Sequence, residues 1–163
     1  MNLSQELINK GFKIQDVVEA DFNDYYAVNK ACYEKYVDEY FGGWDDYNQQ
    51  NKIQTEEFNK ALKQSTFKKI IMFDEVVGFF AFDELEDKID GVQIQMIDNA
   101  QNMGIGSFYL KHIISLSDKN NKPVFLRVFK SNSARDLYKR FGFCVYDENI
   151  SHYYMKYEPN IVV

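Results

Sequence analysis

The sequence of 163 residues has little of what marks special architectures, with only 2 prolines and 2 cysteines. The low proline content excludes Pro-rich linkers and collagen-like repeats. Cys32 and Cys144 lie far apart without metal-ligand spacing, which argues against a disulfide scaffold and a metal site. No apolar run reaches the roughly 18 residues of a membrane span, and the first ten residues lack the apolar core of a signal peptide. We therefore expect a single cytoplasmic domain over residues 1–163, with no metal and no membrane partner.

The charge is negative overall but unevenly distributed. A net charge of −6 at pH 7 and a pI near 5.0 argue against a nucleic-acid partner. Residues 16–57 carry a net charge of −8, whereas residues 121–143 carry +5. The basic segment is suited to a phosphorylated ligand. The acidic segment is either an attractor of cations or a solvated acidic face.

The apolar residues, 45% of the chain, follow regular periods, and the aromatic share of 17% predicts a ring-rich core. A helix or a pair of helices, starting at Asp45 or at Thr55, follows the Gly42-Gly43 break. The other predicted elements are a strand at 12–18, a helix capped by Asp21 or Asn23, strands at 67–73, 76–82 and 91–97, a helix at 104–118, a strand at 124–129, a helix at 134–141 capped by Ser131 or Asn132, and strands at 144–146 and 153–157. This order predicts an α+β fold with a mostly antiparallel sheet.

A glycine-containing segment, residues 101–106, lies between a predicted strand and a predicted helix. Free N–H groups and the helix dipole favour an anion there, and glycine lets a pyrophosphate approach the backbone. A dinucleotide fingerprint is not met, because Tyr109 stands where the third small residue belongs. Taken alone, two glycines before a helix are more often an ordinary connection.

A second motif makes the first more specific. The two motifs, in this order, resemble the acetyl-CoA site of the GNAT (Gcn5-related) N-acetyltransferases. The matching residues are Gln101, Gly104 and Gly106 in the first motif, and Asn132, Ala134, Leu137, Tyr138, Gly142 and Phe143 in the second. The resemblance covers about residues 76–157. It implies a GNAT-like mixed sheet with helices on both faces and a cofactor cleft at a splayed pair of strands.

The resemblance also implies acetyl-CoA as the acetyl donor and gives residues their roles. The backbone donors implied for the thioester arm are Met96 and Ile97, and those implied for the pyrophosphate are Gln101, Asn102, Met103, Gly104, Ile105, Gly106 and Ser107. Asn132 is implied as a cofactor contact, although an N-cap role fits the same position. Arg135 and Lys139 are candidate phosphate contacts by charge. Tyr138 is implied as the acid that protonates the departing thiolate, with a core position as its alternative.

The acceptor amine must lose a proton before it attacks, and Asp90 is the candidate base, with a turn as its alternative role. Trp44 lines the acceptor groove or anchors the helical region. His112 and His152 are predicted to be structural or exposed.

We therefore predict an N-acetyltransferase in which a primary amine attacks the thioester directly, with a small-molecule or peptide acceptor of cationic character. The alternative is a catalytically silent CoA-binding or regulatory module, and a structural interaction domain would bind no CoA. A homodimer through the late strands is also conceivable.

Overall fold

The computed structural model describes residues 1–44 and 47–160. Short 3₁₀ turns lie at Glu19–Asp21 and Asp98–Ala100. The helices are α1 (Gln5–Asn9), α2 (Phe22–Phe41), α3 (Tyr47–Ala61), α4 (Ile105–Asn120) and α5 (Ala134–Arg140). The strands are β1 (Phe12–Asp16), β2 (Thr66–Met72), β3 (Glu75–Glu84), β4 (Ile89–Met96), β5 (Val124–Phe129), β6 (Cys144–Glu148) and β7 (His152–Tyr157).

The described strands form one sheet of seven in the order β1-β2-β3-β4-β5-β7-β6. All neighbours are antiparallel except β4 and β5, which run parallel and are joined through α4. The β2–β3 turn has Phe73 and Asp74 at φ 48° and 66°, the two positive values of a type I′ turn, here without glycine. The α+β fold with a mostly antiparallel mixed sheet is confirmed.

The core has two layers because side chains alternate across the sheet. On β3, Phe80 and Phe82 belong to a cluster that includes residues of α1, α4 and α5. Phe79 and Ala81, which alternate with them, pack with Tyr25 of α2 and Phe58 of α3 on the other face. Helices therefore cover both faces, as predicted, and the space between α2, α3 and the sheet is separated from α4 and α5.

Several boundaries differ from the periodicity-based predictions. Thr55 lies inside the single helix α3, where its hydroxyl donates to Asn51 O at 2.7 Å, so it starts no second helix. Asp45 lies outside the described residues. The N-cap of α5 is Ser133 rather than the predicted Ser131 or Asn132, although Asn132 Oδ1 accepts the Ala134 N–H at 2.9 Å. Helix α1 carries no strong apolar period and was not predicted.

Candidate active site

Strands β4 and β5 separate along their length. They pair at Ile89 with Val124 and at Val92 with Leu126, beyond which the described chain shows no further pairing between them. A register shift between these two pairs contains Gly91 at φ 62°. Because β4 continues to Met96 and β5 to Phe129, the two strand ends enclose an open gap. This is the predicted splayed pair.

Met96 presents its backbone to this gap. It lies opposite Gly78 of β3, and the next residue, Ile97, donates its N–H to Val77 O at 3.0 Å. In an antiparallel ladder this pattern makes Gly78 and Met96 a non-hydrogen-bonded pair, whose N–H and C=O groups point away from each other. Of the two predicted backbone donors, Met96 N–H therefore faces the gap, whereas Ile97 N–H is occupied by β3.

The loop after β4 is an anion-binding arrangement. Gly104, at φ 96°, is the N-cap of α4, and Asn102 has φ 59°. In the described part of the chain, the N–H groups of residues 102–107 donate to no protein acceptor, whereas Gln101 N–H and Phe108 N–H do. The predicted pyrophosphate site thus has free donors at the positive end of a 16-residue helix.

Two side chains hold this loop in place. Gln101 Nε2 donates to Met96 O at 2.8 Å and lies 3.4 Å from Asp98 Oδ1, so its side chain ties the loop to the end of β4. Lys10, at the end of α1, donates from Nζ to Met103 O at 3.0 Å. Its ammonium also pairs with Glu6 Oε1 at 2.6 Å, so Lys10 ties the loop to α1, a contact that the sequence motif did not reveal.

Helix α5 brings Tyr138 to the same gap from the α4 side of the sheet. Tyr138 is 8% exposed, lines the cavity described below, and has its pKa raised to about 12 by burial. Asn132 also lines the cavity, with its amide oxygen accepting the Ala134 N–H. Arg135 lies over the ring of Tyr153 at 5.5 Å, and Lys139 is exposed. The structure therefore places these predicted cofactor residues on one short helix and its leading loop.

A cavity of about 820 Å³ lies on the opposite face, between α2, α3 and the strands β4, β5 and β7. Buried amide side chains form much of its inner wall. Asn29 and Gln95 are 2% and 5% exposed, and their oxygens Oδ1 and Oε1 have no hydrogen-bond partner in the described structure. Asn29 Nδ2 donates to Gln54 Oε1 at 2.9 Å, which fixes the Asn29 side chain. Both oxygens are enclosed by protein atoms, so their hydrogen-bonding capacity is unmet within the wall itself.

The tyrosines on this wall are uncharged. Burial raises the pKa of Tyr25 to about 12, with a further contribution from the negative charge of Glu57. Burial also raises the pKa of Tyr33 well above its ordinary value, and Tyr33 interacts with both Tyr138 and Gln95. The α2 face therefore meets Tyr138 at the gap.

Cys32 lies at the same place. Burial raises the pKa of its thiol to about 12, with a contribution from Asp98 and an opposing one from the Met96 backbone. Its neutral form makes Cys32 a wall of the gap rather than a nucleophile.

Trp44 has both of its alternative roles. It is 3% exposed, lines the cavity, and donates from Nε1 to Tyr26 Oη at 3.2 Å. The acidic segment contributes less to the cavity than its charge suggested. Asp16 and Asp21 pair with Lys68 and Lys69, and Glu57 is the member of this segment that lines the cavity.

Asp90, the predicted base, lies at the wrong end of β4 for direct contact with the thioester site. Six residues separate it from Met96, about 20 Å along a strand. Lys88 Nζ donates to its carboxylate at 2.6 Å, and Gly91 N–H donates at 2.8 Å. Burial raises the pKa of Asp90, but these bonds outweigh burial and lower it overall, which weakens Asp90 as a base.

Comparison with known proteins gives the family. The model of the acetyltransferase (GNAT) family matches residues 29–143, and the chain belongs to this family. The ribosomal protein bS18-alanine N-acetyltransferase of Haemophilus influenzae is 31% identical over 86 residues, 52% of this chain and 59% of that protein.

Solved structures share the fold. A Pyrococcus horikoshii protein superposes with a TM-score of 0.70 at 21% identity, covering 92% of this chain and 99% of that one. The PaiA N-acetyltransferase of Thermoplasma acidophilum, solved with coenzyme A, has a TM-score of 0.70 at 16% identity, covering 90% and 98%. The resemblance that the two motifs indicated is confirmed.

Within the described residues, no helix combines the length and apolar character that a membrane crossing requires. The same part of the chain contains no group of three or more His, Cys, Asp or Glu side chains placed to hold a metal ion.

Proposed function

We propose that the protein is an acetyl-CoA-dependent N-acetyltransferase in which a primary amine attacks the thioester directly. One observation carries this proposal: the gap between β4 and β5 joins an anion-binding loop on one side of the sheet to a polar cavity on the other. A donor and an acceptor can thus meet in the gap from opposite faces. Membership of the GNAT family supports the same activity.

The residues present fit the donor. Acetyl-CoA supplies an activated acetyl group as a thioester. The N–H groups of residues 102–107 are suited to its pyrophosphate, and Met96 N–H is suited to the carbonyl oxygen, where negative charge develops. Arg135 and Lys139 provide positive charge on α5 for phosphate groups, and the Asn132 amide nitrogen is available to the pantetheine arm.

Tyr138 is the proposed proton donor to the departing sulfur. A phenol whose pKa is raised to about 12 by burial stays protonated at neutral pH, so it faces the gap as a donor. A hydrogen bond from it stabilises a thiolate, whose ordinary pKa is about 8.5.

The proton of the amine requires an acceptor on the cavity side, and we assign this role to Glu57, acting through water. Glu57 lines the cavity, carries no ion pair in the described chain, and acts electrostatically on Tyr25. It is better suited than Asp90, whose carboxylate is held by Lys88.

The acceptor is a primary amine of a small molecule or a peptide, cationic in solution. The name of the Haemophilus influenzae relative, which acts on an alanine of a ribosomal protein, supports a peptide acceptor. If the protein is a homodimer, β6 is the proposed contact, because it lies at the sheet edge and all five of its residues are exposed.

Titration calorimetry with acetyl-CoA, with NAD as the control ligand, tests the cofactor site. Micromolar binding of acetyl-CoA without binding of NAD is expected. CoA release is then followed with a panel of primary amines. Binding without release to any amine would instead indicate the silent module, and failure to bind acetyl-CoA would refute the site at residues 101–107.

A further inference from the structure

Arg127 is a cation without a counter-ion on the floor of the cavity. It lies in the middle of β5, is exposed to the cavity, and takes part in no ion pair or hydrogen bond in the described structure. Lys60 of α3, the other cation among the described residues that line the cavity, acts electrostatically on Asp90. Three lysines near β5 are paired: Lys88 with Asp90, Lys130 with Glu148, and Lys156 with Glu158. Arg127 is therefore set apart from its neighbours by its free guanidinium.

The surroundings of Arg127 are neutral and hydrogen-bonding. It lies opposite Tyr154 of β7, and the parallel register that pairs Val92 with Leu126 places it level with Gln93 of β4. His152, two residues away from Tyr154 on β7, has its pKa lowered by burial and by the charge of Arg127. The carboxylates that line the cavity in the described structure, Glu57 and Asp90, form no ion pair with Arg127, and Asp90 is held by Lys88.

The neighbouring ring nitrogens confirm that no anion is built in. His152 Nδ1 lies 2.7 Å from Ser151 Oγ, and Ser151 Oγ lies 3.3 Å from Asn149 Oδ1. Both groups around His152 are neutral. A ligand anion would therefore be the first negative partner of Arg127.

We propose that Arg127 binds a carboxylate of the acceptor, so that the preferred acceptor is an amine that carries an anionic group at a fixed distance. This inference rests on the proposed acetyl transfer and adds the acceptor class. Gln95, which lines the cavity and precedes Met96 at the gap, marks the amine end of the cavity. Gln93, level with Arg127, precedes Gln95 by two residues, which is about 7 Å along a strand.

The distance between Arg127 and the amine end of the cavity determines which zwitterionic amines can span it. In a free α-amino acid a single carbon joins the amine to the carboxylate, so the molecule is too short to span this distance. An ω-amino acid with a four-carbon spacer and a dipeptide with a free carboxyl group both reach it. The guanidinium forms paired hydrogen bonds with a carboxylate, which a neutral carboxamide does not reproduce.

The test compares 5-aminopentanoate with 5-aminopentanamide, and glycylglycine with glycylglycinamide, as acceptors. For the wild-type protein we expect kcat/KM for the carboxylate to exceed that for the amide by at least about tenfold. Arg127→Gln is expected to bring this ratio close to one, and Arg127→Lys to retain part of it. Lys119→Gln, which removes an exposed charge at the far end of α4, is the matched control and should leave the ratio unchanged.

Binding of the same amines to the protein saturated with CoA, measured by calorimetry, gives the preference without turnover. Equal binding of carboxylate and amide by the wild type, no binding of either, or a preference that survives Arg127→Gln would overturn the inference. The proposed function fails separately, when acetyl-CoA is not bound or no amine in the wider panel is acetylated.

Discussion

Replacement of Tyr138 by phenylalanine separates its proposed chemistry from its packing. The ring belongs to the core cluster on the α4 face and lies 6.0 Å from the ring of Phe143, contacts that phenylalanine retains. Burial alone accounts for the raised pKa of Tyr138, so its hydroxyl forms no bond that folding depends on. We therefore expect the free energy of unfolding to change by less than about 1 kcal/mol.

The effect on the rate should be much larger. A hydrogen bond to a charged group contributes about 1.5–3 kcal/mol, and each 1.36 kcal/mol is tenfold in rate. Loss of the bond to the developing thiolate should thus lower kcat by about 10- to 150-fold, while the Kd for acetyl-CoA stays within twofold. Because the pKa of Tyr138 is raised to about 12, the wild-type rate should show no loss from its deprotonation between pH 7 and pH 10.

The assay follows CoA release with a thiol reagent, after correction for the exposed Cys144. Tyr109→Phe is the matched control, since Tyr109 is also buried and its hydroxyl has no partner in the described structure, but it lies inside the α4 layer. It should leave kcat unchanged. An unchanged kcat in Tyr138→Phe, or a melting temperature lowered by several degrees, would refute the proposed role.

Three further substitutions test other parts of the structure. Asp21→Asn should destabilise the fold by about 2 kcal/mol at pH 7, because the Asp21 carboxylate, 2.7 Å from Lys69 Nζ, loses a largely buried ion pair. Burial opposes the ionisation of Asp21, but the bonds from Lys69 and the backbone lower its pKa below 3.8. The stabilisation is therefore present above about pH 4 and is lost as the pH falls through the folded pKa. Urea titrations in which the two proteins differ equally in stability at pH 7 and at pH 2 would contradict this. Gly104→Ala should weaken acetyl-CoA binding about tenfold and cost about 1 kcal/mol of stability, because alanine is strained at φ 96°. Space does not restrict the substitution, since the nearest atom to an added Cβ, on Leu7, is 3.8 Å away. An unchanged calorimetric affinity would argue against the loop as the pyrophosphate site. Glu57→Gln should lower kcat at least tenfold and leave the Kd for acetyl-CoA within twofold of the wild type, and an unchanged kcat would exclude Glu57 as the proton acceptor.

Local pattern was sufficient for most of the fold. Strand β5 and helix α4 have regular apolar periods, because their positions relative to the core repeat every two residues or every turn, whereas β2 and β3 were predicted from runs of β-branched and aromatic residues. Helix α1 has five residues and one buried side chain, Leu7, which is too short for a period to show. The extent of α3 was also left open, because Thr55 is a typical start residue yet bonds to the backbone of its own helix.

The residues of the candidate cofactor site could be proposed from the sequence, whereas those of the cavity wall could not. The loop at residues 101–107 lies in one motif and Tyr138 in the other. Each motif is a contiguous segment, so the relative positions of its residues follow from their spacing in the sequence. The cavity wall draws Asn29, Glu57 and Gln95 from α2, α3 and β4, which no motif connects. Asp90 was chosen by its position before Met96, and the length of β4 separates the two.

The sequence by itself therefore determined the family and the order of most helices and strands, and it indicated the loop at residues 101–107 as a candidate anion site, because each follows from contiguous residues and their periodicity. Tertiary structure alone decided where the backbone of Met96 points, which oxygens of Asn29 and Gln95 remain unpaired, and that Arg127 has no counter-ion. These properties depend on strand register and on which distant side chains become neighbours. Whether a charged or polar group has a partner depends on which other element lies beside it, and this is settled only when the sheet has formed.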